Sequence, residues 1–166
     1  EQSKVEVCES PTGGGCCLRA TCDVKRGETL LVEPPCFMTD HFDERAVVDF
    51  FMLPAARQDL ILGSFFCPMD SDKTAGIRAR VTGTAEDSDR AVQFETILMF
   101  NCFDCTLVLD DGSGNDDQYE DRVAIYTVAS KANHSCEPNA SWYTRDVLGT
   151  RVVRSLAAIR KGEEVL

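Results

Sequence analysis

The chain has 166 residues, enough for one domain with a real core, and its 43% hydrophobic and 27% charged content reads as a soluble globular protein. No apolar run approaches the roughly 20 residues of a bilayer crossing, and Glu1 opens no basic-then-apolar leader, so neither a membrane partner nor secretion is expected. The net charge of -11 argues against nucleic acid, whose phosphates call for Lys and Arg, and suits a basic partner such as a Lys-rich peptide.

The nine cysteines are scattered, with no paired CxxC array, so reduced and mostly buried thiols are expected rather than a disulfide scaffold. Cys102 and Cys105 have the spacing of half a zinc site, but two thiolates are too few, and no metal is expected.

In chain order, residues 1–12 are polar and read as a lead-in, and Gly13-Gly14-Gly15 as a flexible turn. Leu18 to Val24 and Thr29 to Val32 read as two strands joined by the turn Lys25-Arg26-Gly27-Glu28, which makes a hairpin. The phrase returns at Ala158 to Leu166, where Arg160-Lys161-Gly162-Glu163 predicts a second hairpin of the same shape. Both glycines suit a positive φ at a corner.

Between them, Asp43 to Leu62 predicts two short helices, one on each side of Pro54. Residues 67–90 read as loop, and Ala91 to Phe100 as an amphipathic helix. The acidic stretch Asp110 to Asp121 reads as a solvated hairpin loop, because its Gly and Glu miss the places a Ca²⁺ loop needs. Val123 to Val128, Ala140 to Thr144 and Arg151 to Ile159 read as strands. The fold class is mainly β (α+β), with a helical insert at about 38–100.

The densest polar stretch is Asn133-His134-Ser135-Cys136-Glu137-Pro138-Asn139. Such stretches face a ligand or tie down an irregular loop. Asn133-His134-Ser135 and Asn139-Ala140-Ser141 are also glycosylation triplets, and His134 with Cys136 is a possible base and nucleophile lacking an orienting third group.

The stretch matches, without a mismatch, the NHSCxPN motif of SET-domain protein lysine methyltransferases. Gly15-Cys16-Cys17-Leu18-Arg19-Ala20 resembles that family's G-x-G-L-x-A opening, and Lys25 to Glu33 its K-x-G-E-x-L strand. Asn101-Cys102-Phe103 resembles its N-x-F, Ile125-Tyr126 and Ser130 its approach to the central motif, and Arg160 to Leu166 its R-K-G-E-E-L turn. The resemblance spans residues 13–166 and is closest to the SMYD-like group, without its MYND finger.

The resemblance implies S-adenosylmethionine as cofactor, bound by Gly15, Cys16, Asn101, Ser130, Asn133 and His134. It implies a lysine channel beside Phe103 and Tyr126, a histone or other protein with an exposed lysine as substrate, and a place in the nucleus or cytoplasm. It sets the catalytic Tyr beyond Leu166, so the chain is expected to be a fragment with an incomplete pseudoknot. Cys136, a zinc ligand in relatives with a Cys-rich tail, is then without partners for a metal. Cys17 stands where the family has a second Gly. That departure supports the alternative of a catalytically inactive SET-like protein-binding module.

Overall fold

The computed structural model describes residues 3–11, 15–65, 72–78, 85–109 and 118–166. Its strands are β1 (Val5–Glu9), β2 (Cys16–Ala20), β3 (Thr29–Glu33), β4 (Phe37–Thr39), β5 (Cys102–Leu109), β6 (Gln118–Ile125), β7 (Ala140–Thr144), β8 (Arg151–Ser155) and β9 (Glu164–Val165). Helices α1 (Glu44–Phe51), α2 (Ala55–Ser64), α3 (Asp72–Arg78) and α4 (Ala85–Asn101) lie between β4 and β5. Among the described residues the strands form three small sheets, ordered β1-β2-β9, β3-β8-β7 and β4-β6-β5. Small sheets with a few helices bear out the mainly β, α+β class.

The chain divides into two units. The first takes Glu1–Pro35, Cys105–Glu120 and Val128–Leu166; the second takes Cys36–Asp104 and Asp121–Thr127.

In the first unit, the two expected hairpins do not form. β2 pairs antiparallel with β1 and β9, while β3 pairs antiparallel with β8. The turns themselves have the expected like shape. Glu28 N–H donates to the Lys25 carbonyl at 3.1 Å, and Glu163 N–H to the Arg160 carbonyl at 3.0 Å. Gly27 and Gly162 sit at φ 83° and 82°, as the third position of a type II turn requires. Each turn sends its following strand to the other copy's sheet. Gly27 and Glu28 bond Ser155 just before the second turn, and Gly162 and Glu163 bond Ala20 just before the first.

Residues 5–9, inside the stretch read as a lead-in, form β1. Val5 is buried there and the whole strand runs in register with Ala20 to Cys16. β8 lies between β3 and β7 and buries four of its five residues, as a central strand does. It stops at Ser155, four residues earlier than the apolar pattern predicts, where the hydroxyl donates to the Lys25 carbonyl at 2.6 Å. β2 likewise ends at Ala20, and Val24 keeps only a bridge to Ile159.

In the second unit, Pro54 separates α1 and α2 as predicted. The Asp43 carboxylate caps α1 by accepting the Arg45 N–H at 2.9 Å. Gln58, buried at the start of α2, donates to the Leu53 carbonyl at 2.9 Å. The stretch read as loop carries α3 and the first turns of α4, while the rest of residues 66–84 lies outside the described residues. Residues 110–117 of the acidic loop also lie outside them. The core gathers Phe37, Phe50, Phe94, Ile61, Leu62, Ile97 and Ile125. The Phe50 and Phe94 rings stack at 4.2 Å, and Phe37 meets Phe94 edge-on at 4.9 Å.

Candidate functional site

The first unit places Gly15 and Cys16 where the chain enters β2, both exposed. Gly15 has φ 141°, a conformation side chains rarely adopt, and an added Cβ would meet nothing within 4 Å. Open space therefore adjoins this backbone. Cys17 follows as buried β2 residue, and no described non-Gly residue has positive φ, so its path carries no strain of that kind.

The polar stretch begins after a 3-10 turn, Ala129–Lys131. The sequence pattern predicts strand to Val128, but β6 ends at Ile125 because the chain turns here. Glu33, buried at the end of β3, explains the turn. Its carboxylate accepts the Val128 N–H at 2.9 Å and the Ala129 N–H at 2.8 Å. Two orphan donors at the turn's start are thereby satisfied, as in a helix cap. Ser130 lies half-buried within the turn.

Asn133 and His134 follow, both exposed. Asn133 Nδ2 donates to Glu164 Oε1 at 2.7 Å, and Glu164 lies opposite Arg19 of β2. Asn133 is thus tied to the strand beside the one that Gly15 and Cys16 open. Asn139 holds the same strand harder. Its Nδ2 donates to the Glu164 carbonyl at 2.7 Å, and its Oδ1 accepts the Leu166 N–H at 2.9 Å. Its own carbonyl accepts the Leu156 N–H at 2.7 Å. Both amide nitrogens that glycosylation would use are engaged in these bonds. His134 Nε2 stands 3.7 Å from Cys136 Sγ, and the Ser135 hydroxyl accepts the Glu137 N–H at 3.1 Å.

The second unit holds the remaining three residues. Asn101, the last residue of α4, donates Nδ2 to the Ile97 carbonyl at 3.0 Å. Phe103 and the buried Tyr126 meet edge-on, with ring centroids 6.1 Å apart. Cys102 is held as a neutral thiol, because burial and then the Asp104 carboxylate push it above its ordinary range.

Asp40, His41 and Asp49 bring metal-ligand atoms within 4.8 Å of one another. The donors present already serve them. Thr39 Oγ1 donates to Asp49 at 2.6 Å, while His41 Nε2 and Arg122 Nη1 lie 3.1 and 3.7 Å from Asp40 Oδ1. None of the eight described cysteines is in a disulfide, and three of them, Cys16, Cys22 and Cys136, are exposed rather than buried.

Sequence reasoning gave no site role to Glu33, Asn139 or Glu164. The only signal for Glu33 was a carboxylate at a strand end before Pro34-Pro35. Asn139 was visible as the last residue of the polar stretch, but its partners were not.

The SET domain family profile matches residues 15–166, and the chain belongs to the SET domain family. Among solved structures it is similar to a Plasmodium falciparum protein described as a "putative histone methyltransferase". The identity is 12% and the TM-score 0.47, over 100% of this chain and 92% of that one. No curated protein matches the chain in sequence.

Proposed function

We propose that the protein transfers a methyl group from S-adenosylmethionine to the ε-amine of a lysine in a protein substrate. The observation that carries this reading is the unbroken Asn133-to-Asn139 motif within a chain that matches the SET domain over residues 15–166. Family membership supports protein methyltransferase activity in general; the donor and the lysine target rest on the motif and on the residues around it.

Open space beside Gly15 and the exposed Asn133 and His134 leave backbone and polar side chains accessible to a ligand, which supports this reading. In this reading Gly15, Cys16, Ser130, Asn133, His134 and Asn101 hold the cofactor, which supplies an electrophilic methyl group on a sulfonium. Phe103 and Tyr126 wall the lysine channel. Their rings favour a cationic amine on entry and keep water from the neutral amine. Catalysis is then chiefly by positioning.

Within the family we place the chain nearest the SMYD-like group, on spacing. A histone or another Lys-bearing protein suits the -11 charge, and the nucleus or cytoplasm suits the free thiols. The alternative of an inactive protein-binding module rests on Cys17 at the second Gly position.

Calorimetric titration with S-adenosylmethionine tests the site. Asn133→Ala is expected to weaken binding about tenfold, the worth of one good hydrogen bond. Unchanged affinity overturns the site assignment. Labelled methyl recovered on a side chain other than lysine overturns the substrate class, and cofactor binding without any transfer favours the binding module.

A further inference from the structure

Cys8 of β1 and Cys17 of β2 stand directly opposite each other in the antiparallel pair, with sulfurs 3.2 Å apart. The ladder's phase follows from its ends. Ser10 N–H donates to the Gly15 carbonyl at 2.9 Å, and Thr21 N–H to the Lys4 carbonyl at 2.9 Å. Hydrogen-bonded pairs alternate along the ladder, so Cys8 and Cys17 form one of them, with Cα atoms about 5.5 Å apart. A disulfide takes Cα separations of about 4.4–6.8 Å, so this backbone spacing falls within its range, and the sulfurs already face each other. The neighbouring Cys16 lies opposite Glu9 and, by strand alternation, on the other face, so it does not compete.

The two thiols differ in access. Cys8 is half-buried and Cys17 fully buried. Burial, then the Cys8 thiol beside it, pushes the Cys17 thiol up to about 11. An oxidant from solvent therefore meets Cys8 first, and Cys17 is the resolving partner.

We propose that Cys8 and Cys17 are a reversible oxidation site for hydrogen peroxide, closing to a disulfide that staples the hairpin leading through Gly15. The Cys8 thiolate sulfur attacks one peroxide oxygen and the O–O bond breaks, giving Cys8 sulfenic acid and, with a proton, water. The Cys17 sulfur then attacks the Cys8 sulfur, the S–O bond breaks, and a second water leaves with the Cys17 proton. Two sulfurs have lost two electrons and the peroxide has gained them. A small dithiol reverses the change. The site stands independently of the proposed cofactor.

The test treats the reduced full chain with hydrogen peroxide, blocks remaining thiols by alkylation, and maps peptides by mass spectrometry. A Cys8–Cys17 crosslinked peptide that dithiothreitol removes is expected. Alkylated Cys8 and Cys17 in a chain oxidised elsewhere, or a bond from Cys8 to Cys16 or Cys22, overturns the proposal. Cys17→Ser is expected to leave Cys8 sulfenic acid, trapped by dimedone, and its absence overturns Cys8 as the entry thiol. Should that buried variant fail to fold, Cys8→Ser serves in its place. Cys17 is then expected to escape oxidation, and oxidation at Cys17 overturns the order of events.

Discussion

Val24 and Ile159 each donate their backbone N–H to the other's carbonyl, at 2.8 and 2.9 Å. They are corresponding residues of two like phrases 135 positions apart, and the bridge is the point about which the two copies exchange strands. The matching bonds extend to side chains. The Glu28 carboxylate accepts the Lys25 N–H at 3.2 Å, and the Glu163 carboxylate accepts the Arg160 N–H at 3.0 Å. One local sequence has been used twice, to send β3 from the sheet of β2 to that of β8 and to send β9 back from the sheet of β8 to that of β2.

Equal turns should respond equally to equal changes. Gly27→Ala and Gly162→Ala each force a side chain into positive φ, and neither new Cβ meets an atom within 4 Å. Each is expected to cost about 1 kcal/mol, the backbone term alone. Urea unfolding of both variants checks this. A difference between them beyond about 0.5 kcal/mol sinks the equivalence, since distinct surroundings would then decide the cost.

Local features of the fold were legible because their causes are local. Asp43 caps α1, Pro54 breaks the helical run, and Ala140 to Thr144 forms β7 as its pattern predicts. Strand pairing was not legible. A turn signal at Gly27 says that the chain bends, but not that β3 leaves β2 to pair with residues 118 to 125 positions away. The start of α4 was hidden because Ala85 to Arg90 lacks apolar period, and ion pairs help hold this turn instead. Arg78 reaches Asp89 at 2.6 Å, and Arg90 reaches Asp59 at 3.0 Å. The site shows the same division. Its central motif is contiguous and readable, while Glu164 meets it from 31 residues away and Glu33 holds the turn before it from 95 residues away.

Glu33 carries the turn that delivers Asn133. Glu33→Ala leaves the Val128 and Ala129 N–H groups without their acceptor, in a buried place. A loss of about 3 kcal/mol is expected, with Glu33→Gln near half of that because its amide offers one acceptor oxygen. Chemical denaturation measures both. A loss under about 1 kcal/mol for the Ala variant means the turn finds other partners and Glu33 does not set it.

Asn139 fixes the C-terminal strand through two side-chain bonds, to the Glu164 carbonyl and the Leu166 N–H. Asn139→Ala should cost about 2 kcal/mol and free the end of β9 locally. Hydrogen exchange read by NMR gives the sharper check. The Leu166 amide is expected to exchange faster, while amides in the α1 and α4 core keep their protection. Unchanged exchange at Leu166 removes Asn139 as the clamp.

Asp43 gives the acid dependence a definite sign. Arg45 grips its carboxylate by Nε at 3.1 Å and Nη2 at 2.8 Å, and the Arg45 N–H adds a third bond. These bonds, led by the guanidinium, lower its pKa from the ordinary 3.8 to about 2. A lowered carboxyl stabilises the fold above its unfolded value, and that contribution fades as pH falls from about 4 toward about 2. Asn can cap a helix without charge, so Asp43→Asn keeps the cap and removes the titration. The stability advantage of the wild type over this variant is therefore expected to be constant above about pH 5 and to shrink below pH 4. Parallel urea melts across that range measure the gap. An advantage that stays level down to pH 2 would show that the Arg45 pair contributes nothing beyond the cap, and that the acid sensitivity of the chain lies in other carboxylates.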